Sequence, residues 1–173
     1  SSCKNLLIGI YIDQKEFKKA KKIINYWSGE GQFNLAYIAF VENKLPKAEK
    51  ILKRIYKRQF KDSKFKKPEP YLSGMIGSVL WFQGKNKESK IYHEESLENF
   101  KKIYGDKNPI LIQPFINLAM VHFNDGEYEK TDFYLRKSLD LQFKFIQKQI
   151  PFLPLSKRDQ FIKTLGISYP AIF

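Results

Sequence analysis

The stretch NLAMVHFNDGEYEKTDFYLRKSL, Asn117 to Leu139, decides the fold, because the chain carries it more than once. Setting Gly126 on Gly84 brings GMIGSVLWFQGKNKESKIYHEESL, Gly74 to Leu97, into step with it at an offset of 42 residues. Ile76-Gly77 then faces Leu118-Ala119, Ser89 faces Thr131, and Ser96-Leu97 faces Ser138-Leu139. Two weaker copies lie upstream. LLIGIYIDQKEFKKAKKII has Leu7, Phe17 and Ala20 at the matching positions, and NLAYIAFVENKLPKAEKIL has Leu35-Ala36, Leu45 and Ala48. Self-similarity at a fixed period outranks any single residue, since repeat units are read by how they stack.

Each copy reads as helix, short turn, helix. Apolar residues recur three and four apart on both sides of a turn such as Asn124-Asp125-Gly126-Glu127 or Gln83-Gly84-Lys85-Asn86. A small residue early in the second helix (Ala20, Ala48, Ser89, Thr131) lets it approach the first closely. A helix pair of this kind has two apolar faces and covers only one by itself, so neighbouring pairs must stack. No alternating segment flanked by hairpin turns is present, so the expected fold class is all-α.

Four units are expected within residues 1–150, at about 3–27, 32–60, 71–104 and 109–149, followed by a closing segment at 151–173. Ser28-Gly29-Glu30-Gly31 reads as the break after the first unit, and Pro46 fits the start of a helix, where its missing N–H does no harm. Lys61 to Pro70 is a charged, proline-punctuated connector. Asn108 is placed to cap and Pro109 to open the next helix. Pro151 and Pro154 interrupt the chain before an amphipathic segment, Ser156 to Leu165, expected as a C-terminal helix. The step from Ala20 to Ala48 is only 28 residues, which sets the first unit apart.

Composition bounds the rest. At 173 residues with 43% hydrophobic and 16% aromatic side chains, the chain has material for one substantial core. Its net charge of +13 comes almost wholly from lysine, which outnumbers arginine 27 to 4; an AT-rich genome produces the same skew. Such charge bears on partners and solubility and not on fold. One cysteine, Cys3, excludes an intrachain disulfide framework and a cysteine-based zinc site. No apolar run approaches the length of a membrane span, and no signal peptide is read. A cytoplasmic protein is expected; the opening Ser1-Ser2-Cys3 leaves a lipoprotein anchored through Cys3 as the alternative.

These residues resemble the tetratricopeptide repeat, whose signature is an apolar-small pair, an aromatic, a turn glycine and an alanine in the second helix. The resemblance covers about Leu6 to Leu141. The 42-residue step, with IYGDKNP between the last two units, is similar to the long subtype of kinesin light chains, with Tyr104 and Asn108 standing where leucine and histidine are usual. It implies a right-handed superhelix of about four units, capped by the C-terminal amphipathic helix. LPLSKRDQFIKTLGISYPAIF, Leu153 to Phe173, resembles the segment joining such arrays to a caspase-like CHAT domain in cyanobacterial proteins, although Lys157 stands where an acidic residue is usual. On that resemblance any protease residues lie outside this chain, and its own role is a sensor or scaffold arm that recognises a protein or peptide, intramolecular or not.

The resemblance places Phe33, Tyr37, Phe40, Ser78, Trp81, Met120, Phe123 and Asn124 on the concave face, an apolar-aromatic groove suited to a peptide or helix. The lysine–asparagine clamp of chaperone-adaptor repeats is missing: Asn5/Gly9, Phe33/Tyr37, Gly74/Ser78 and Ile116/Met120 occupy its positions. The competing surface is a basic stripe of Lys47, Lys50, Arg54, Lys57 and Lys61, enlarged by Lys53, Arg58, Lys64, Lys66 and Lys67. It reads either as a footprint for nucleic acid or another anionic surface, or as a solvated outer face in a lysine-rich chain. Catalysis finds no support. His93 and His122 have no cysteine or second histidine at ligand spacing, Glu94 and Glu95 diverge as helix neighbours, and no glycine loop cradles phosphate. No enzyme activity, metal or cofactor is expected, and the oligomeric state is not legible.

Overall fold

The computed structural model describes residues 2–61, 69–154 and 156–157. Its elements, in chain order, are α1 (Ser2–Asp13), α2 (Phe17–Ile23), α3 (Gly29–Val41), α4 (Leu45–Lys61), α5 (Pro70–Phe82), α6 (Asn86–Tyr104), α7 (Ile112–Asn124) and α8 (Tyr128–Gln149). One 3-10 turn, Pro109–Leu111, feeds α7 and another, Ile150–Phe152, ends α8. No strand occurs among the described residues. Most of the expected connector, including Lys64, Lys66 and Lys67, lies outside the described residues, as do the side chain of Lys61 and the C-terminal segment carrying Phe161, Ile162 and Leu165.

The four turns within pairs share one geometry. Lys15, Asn43, Gly84 and Gly126 take positive φ values of 58°, 58°, 73° and 74°. Their N–H groups donate to the carbonyls of Ile12, Phe40, Trp81 and Phe123, at 2.9, 2.9, 2.9 and 3.0 Å. The next N–H groups, on Glu16, Lys44, Lys85 and Glu127, reach back to Tyr11, Ala39, Leu80 and His122 at 2.8, 2.7, 3.0 and 2.9 Å. This paired closure is the Schellman motif, which satisfies carbonyls that a helix end leaves unpaired. The chain is thereby reversed, and the second helix lies back along the first.

Small residues then set the helix spacing. Ala20, Ala48, Ser89 and Thr131 are all buried where the second helix crosses the first. Ser89 also donates its hydroxyl to the Gly77 carbonyl at 2.8 Å, which ties α6 to α5 without leaving a buried donor unpaired. Stacking between pairs follows from the core. Ile8, Ile12, Ala20 and Ile24 from α1 and α2 and the residue after them pack with Ile38 of α3. Leu52 and Ile55 of α4 share a cluster with Ile76, Val79 and Leu80 of α5. Leu97 and Phe100 of α6 join Phe115, Leu118 and Leu141 of α7 and α8. Each leucine or isoleucine so buried contributes about 1.5–3 kcal/mol, and much of that is available only when pairs stack.

Two local expectations are corrected. Ser28 to Gly31 is a helix start and not merely a break: α3 begins at Gly29, and the Ser28 hydroxyl accepts from the Gly31 N–H at 2.9 Å. A Cβ on Gly31 would sit 1.8 Å from the Asn25 carbonyl oxygen, so the glycine lets the preceding turn press against the helix. Asn108 does cap, its side chain accepting from the Ile110 N–H at 3.0 Å, but what Pro109 opens is a 3-10 turn that becomes α-helical only at Ile112.

Candidate functional site

The inner faces of α3, α5 and α7 line up to form a trough. Its wider part is a cavity of about 330 Å³ bordered by Phe33 and Tyr37 of α3, Tyr71 and Met75 of α5, and Gln113 and Asn117 of α7. A second part, about 270 Å³, runs on among Phe40, Trp81, Phe82, His93 and Met120. Met75, Ser78, Gln113 and Asn117 border both, so the two are one continuous depression. Aromatic edges shape its walls: Phe40 meets Phe82 at 5.2 Å, Trp81 meets Phe82 at 4.9 Å, and Tyr71 meets Phe100 at 4.8 Å. The Gln113 amide donates to Asn117 at 2.8 Å along α7, which orders two hydrogen-bonding side chains on the floor.

Among the described residues, the lining carries no aspartate, glutamate, lysine or arginine. In a chain with 28% charged residues and a net charge of +13, that is a local reversal. His93 borders the second cavity, and burial pushes its pKa down to about 4, so it is neutral at physiological pH.

Of the expected groove residues, Phe33, Tyr37, Phe40, Ser78, Trp81 and Met120 come together in the trough. Phe123 and Asn124 border neither cavity; both are exposed near the end of α7, where Phe123 packs edge-on against Tyr128 at 5.9 Å. Tyr71, Met75, Phe82, Gln113 and Asn117 were not expected. The repeat register holds the missing signal: positions 34, 75 and 117 form the row beside 33, 74 and 116, and a trough two rows wide needs both.

The basic stripe lies elsewhere. Lys47, Lys50, Arg54 and Lys57 are exposed along α4, and Ala48, Leu52 and Ile55 are buried on its other face. Lys53 is held by Glu49 and Glu88 at 2.7 and 3.2 Å. Among the described residues, α4 contributes none to the trough.

Both histidines are structural in their surroundings. His93 is 2% exposed and lies against Gly77. His122 is buried, stacks on Tyr134 at 5.3 Å and meets the Glu127 carboxylate through Nδ1. Lys130, at 3.0 Å, and then His122 hold the Glu127 carboxyl at about 2. Glu95 accepts from the Tyr56 hydroxyl at 2.6 Å, a link between neighbouring pairs. Cys3 is exposed on α1, whereas His93 and His122 are buried in α6 and α7. Among the described residues no three His, Cys, Asp or Glu side chains gather as a metal site, and no helix is long and apolar enough to cross a membrane.

Residues 71–142 match the family model of the tetratricopeptide repeat. That span runs from α5 into α8 and includes the 42-residue self-match of the sequence. The two upstream pairs repeat its Schellman turn and its buried small residue, and the architecture as a whole is an all-α tetratricopeptide-like helical array. Repeats of this family generally mediate protein–protein interaction. The chain is also similar to the solved structure of BtubC (BKLC) from P. vanneervenii, at 13% identity and a TM-score of 0.49, over 82% of this chain and 79% of that one. So loose a likeness bears on neither partner nor function. Comparison with curated proteins gives no match.

Proposed function

We propose that the chain is a protein-interaction scaffold whose trough binds an uncharged, largely apolar peptide or helix. The observation that carries this reading is the uncharged lining of a depression bordered by Tyr37, Met75, Trp81 and Met120. Aromatic and methionine side chains provide large contact area at low ordering cost. A charged side chain entering such a trough would lose hydration without gaining a counter-ion, so the lining also rejects acidic and basic partners. Gln113 and Asn117 supply donors and acceptors for the backbone of a bound segment.

We infer further that the array is of the long, 42-residue subtype and serves as the sensor arm of a CHAT-type protein. The Gly84 to Gly126 step and the sequence from Leu153 to Phe173 support this. Reading the gene beyond Phe173 for His-Gly and Cys motifs tests it, and a stop codon at that point refutes it.

For the trough itself, a displayed random-peptide library panned on the full chain is the direct test. Enriched peptides should be poor in Asp, Glu, Lys and Arg, and should lose binding to the Tyr37→Ala and Trp81→Ala variants. Peptides that bind both variants as well as the parent overturn the assignment.

A further inference from the structure

Trp27 is 92% exposed, more than any other large apolar side chain among the described residues. It sits on the turn between α2 and α3, where its backbone N–H donates to the Asn25 side-chain oxygen at 3.1 Å. The turn is fixed in place from below. Gln32 donates its amide to the Tyr26 carbonyl at 3.2 Å, and the oxygen of the same amide accepts from Arg54 of α4 at 3.4 Å. One buried glutamine therefore joins the turn that projects the indole to the helix that carries the basic stripe.

Among the described residues, most cations along that helix have no carboxylate partner. Lys47, Lys50, Arg54 and Lys57 follow at steps of three, four and three, about one helical turn or 5 Å each. Lys50, Lys53, Arg54, Lys57 and Arg58 border a shallow basin of about 460 Å³ that, among the described residues, no carboxylate lines. Lys53 is neutralised by Glu49 and Glu88, but Lys47, Lys50, Lys57 and Arg58 have no ion pair among the described residues, and Arg54 has only an amide. Elsewhere Lys21, Lys85, Lys130 and Lys144 all find carboxylates.

We propose that Trp27 and the α4 ridge together form a docking edge for an anionic lipid bilayer. This is independent of the trough, to which neither contributes. A straight ridge along one helix meets a flat surface along its whole length, and a row of cations there is attracted by the surface potential. An indole projecting from a turn, with an apolar body and an N–H edge, suits the headgroup layer. Single-stranded nucleic acid is the less favoured polyanion. Among the described residues no exposed aromatic on the ridge joins Trp27 in a stacking platform, and lysines lack the planar fork that reads bases. Each basic residue close to an anionic surface strengthens binding roughly fivefold.

The test is co-sedimentation of the full chain with vesicles of phosphatidylcholine alone or mixed with phosphatidylglycerol. It is read alongside Trp27 fluorescence in a Trp81→Phe background. Binding to the mixed vesicles only, a blue-shifted emission, and weakening by salt are expected. The triple variant Lys50→Gln/Arg54→Gln/Lys57→Gln should bind on the order of a hundredfold more weakly. The sedimentation arm needs no variant, so a failure of Trp81→Phe to fold does not remove the test. Equal binding to both vesicle types, full binding by the triple variant, or quenching of Trp27 by a single-stranded oligonucleotide with vesicles ignored would each overturn the proposal.

Discussion

The imidazole of His93 lies face-on against Gly77, so that a Cβ built on the glycine would be 2.8 to 2.9 Å from three atoms of the ring. Ala36 and Ala119 occupy the register positions of Gly77 in the neighbouring pairs, and both are buried. The third pair has thus exchanged a methyl group for a ring. A glycine inside a helix is ordinarily improved by alanine, by about 1 kcal/mol. Here the sign reverses: Gly77→Ala should destabilise the chain by about 1–3 kcal/mol, because the ring is held in a packed core. Urea unfolding of Gly77→Ala, His93→Ala and the double variant measures it. A double variant no less stable than His93→Ala alone gives the coupling energy between the two positions.

His93 also predicts a pH dependence. Burial lowers its pKa from the ordinary 6.5 to about 4. The unfolded chain therefore takes up a proton at this side chain before the folded chain does. Its contribution is fully present above about 6.5 and is lost as pH falls from there to about 4, at a cost on the order of 3 kcal/mol. His93→Gln removes the ionisable group and should flatten the stability profile across that window. An unchanged slope between the two proteins would assign the acid sensitivity to other groups.

The helical pairs were legible because three independent signals agreed: the apolar spacing, the turn glycines and the small residue after each turn. They are local, and local signals survive without knowledge of packing. Lys15 and Asn43 take the same backbone conformation as Gly84 and Gly126. Since neither is a glycine, the first two turns look weaker in sequence than they are in the fold. The trough was legible only in part, because each row alternates large and small side chains. Phe33, Gly74 and Ile116 share one row; Gly74 borders the cavity without a side chain to fill it, so Met75 and Asn117 of the neighbouring row supply side-chain contact there. The bridge from Tyr26 through Gln32 to Arg54 includes a step of 22 positions, from Gln32 to Arg54, and no periodicity announces it.

The shared turn conformation carries a prediction of opposite signs. Gly126→Ala places a Cβ in a left-handed conformation and should cost about 1 kcal/mol, although nothing lies within 4 Å to clash. Lys15→Gly and Asn43→Gly relieve that strain and should stabilise by a few tenths up to about 1 kcal/mol, with Lys15 the larger because asparagine tolerates this region better. Urea midpoints of the three variants decide it, and a stabilising Gly126→Ala would contradict the geometry.

Glu49 is a clasp between two pairs. From α4 its carboxylate, 16% exposed, accepts from Lys53 at 2.7 Å, and from Lys85 and Gln83 beyond the end of α5 at 2.9 and 3.0 Å. Burial alone would raise its pKa, but the hydrogen bonds from Lys53, Lys85 and Gln83 outweigh that and hold it at about 2. A carboxyl depressed in the fold contributes stability above its unfolded value of 4.5, and that contribution is lost as pH falls through about 2. Glu49→Gln keeps the size and removes the charge, leaving two lysines without their anion. With the partly solvated lysines screening the interaction, the expected loss near neutrality is about 1–2 kcal/mol. The difference between parent and variant should then shrink as the pH drops below 4.5, a window lying mostly below that of His93. A difference that stays constant across that range would show that the clasp acts through shape and not charge.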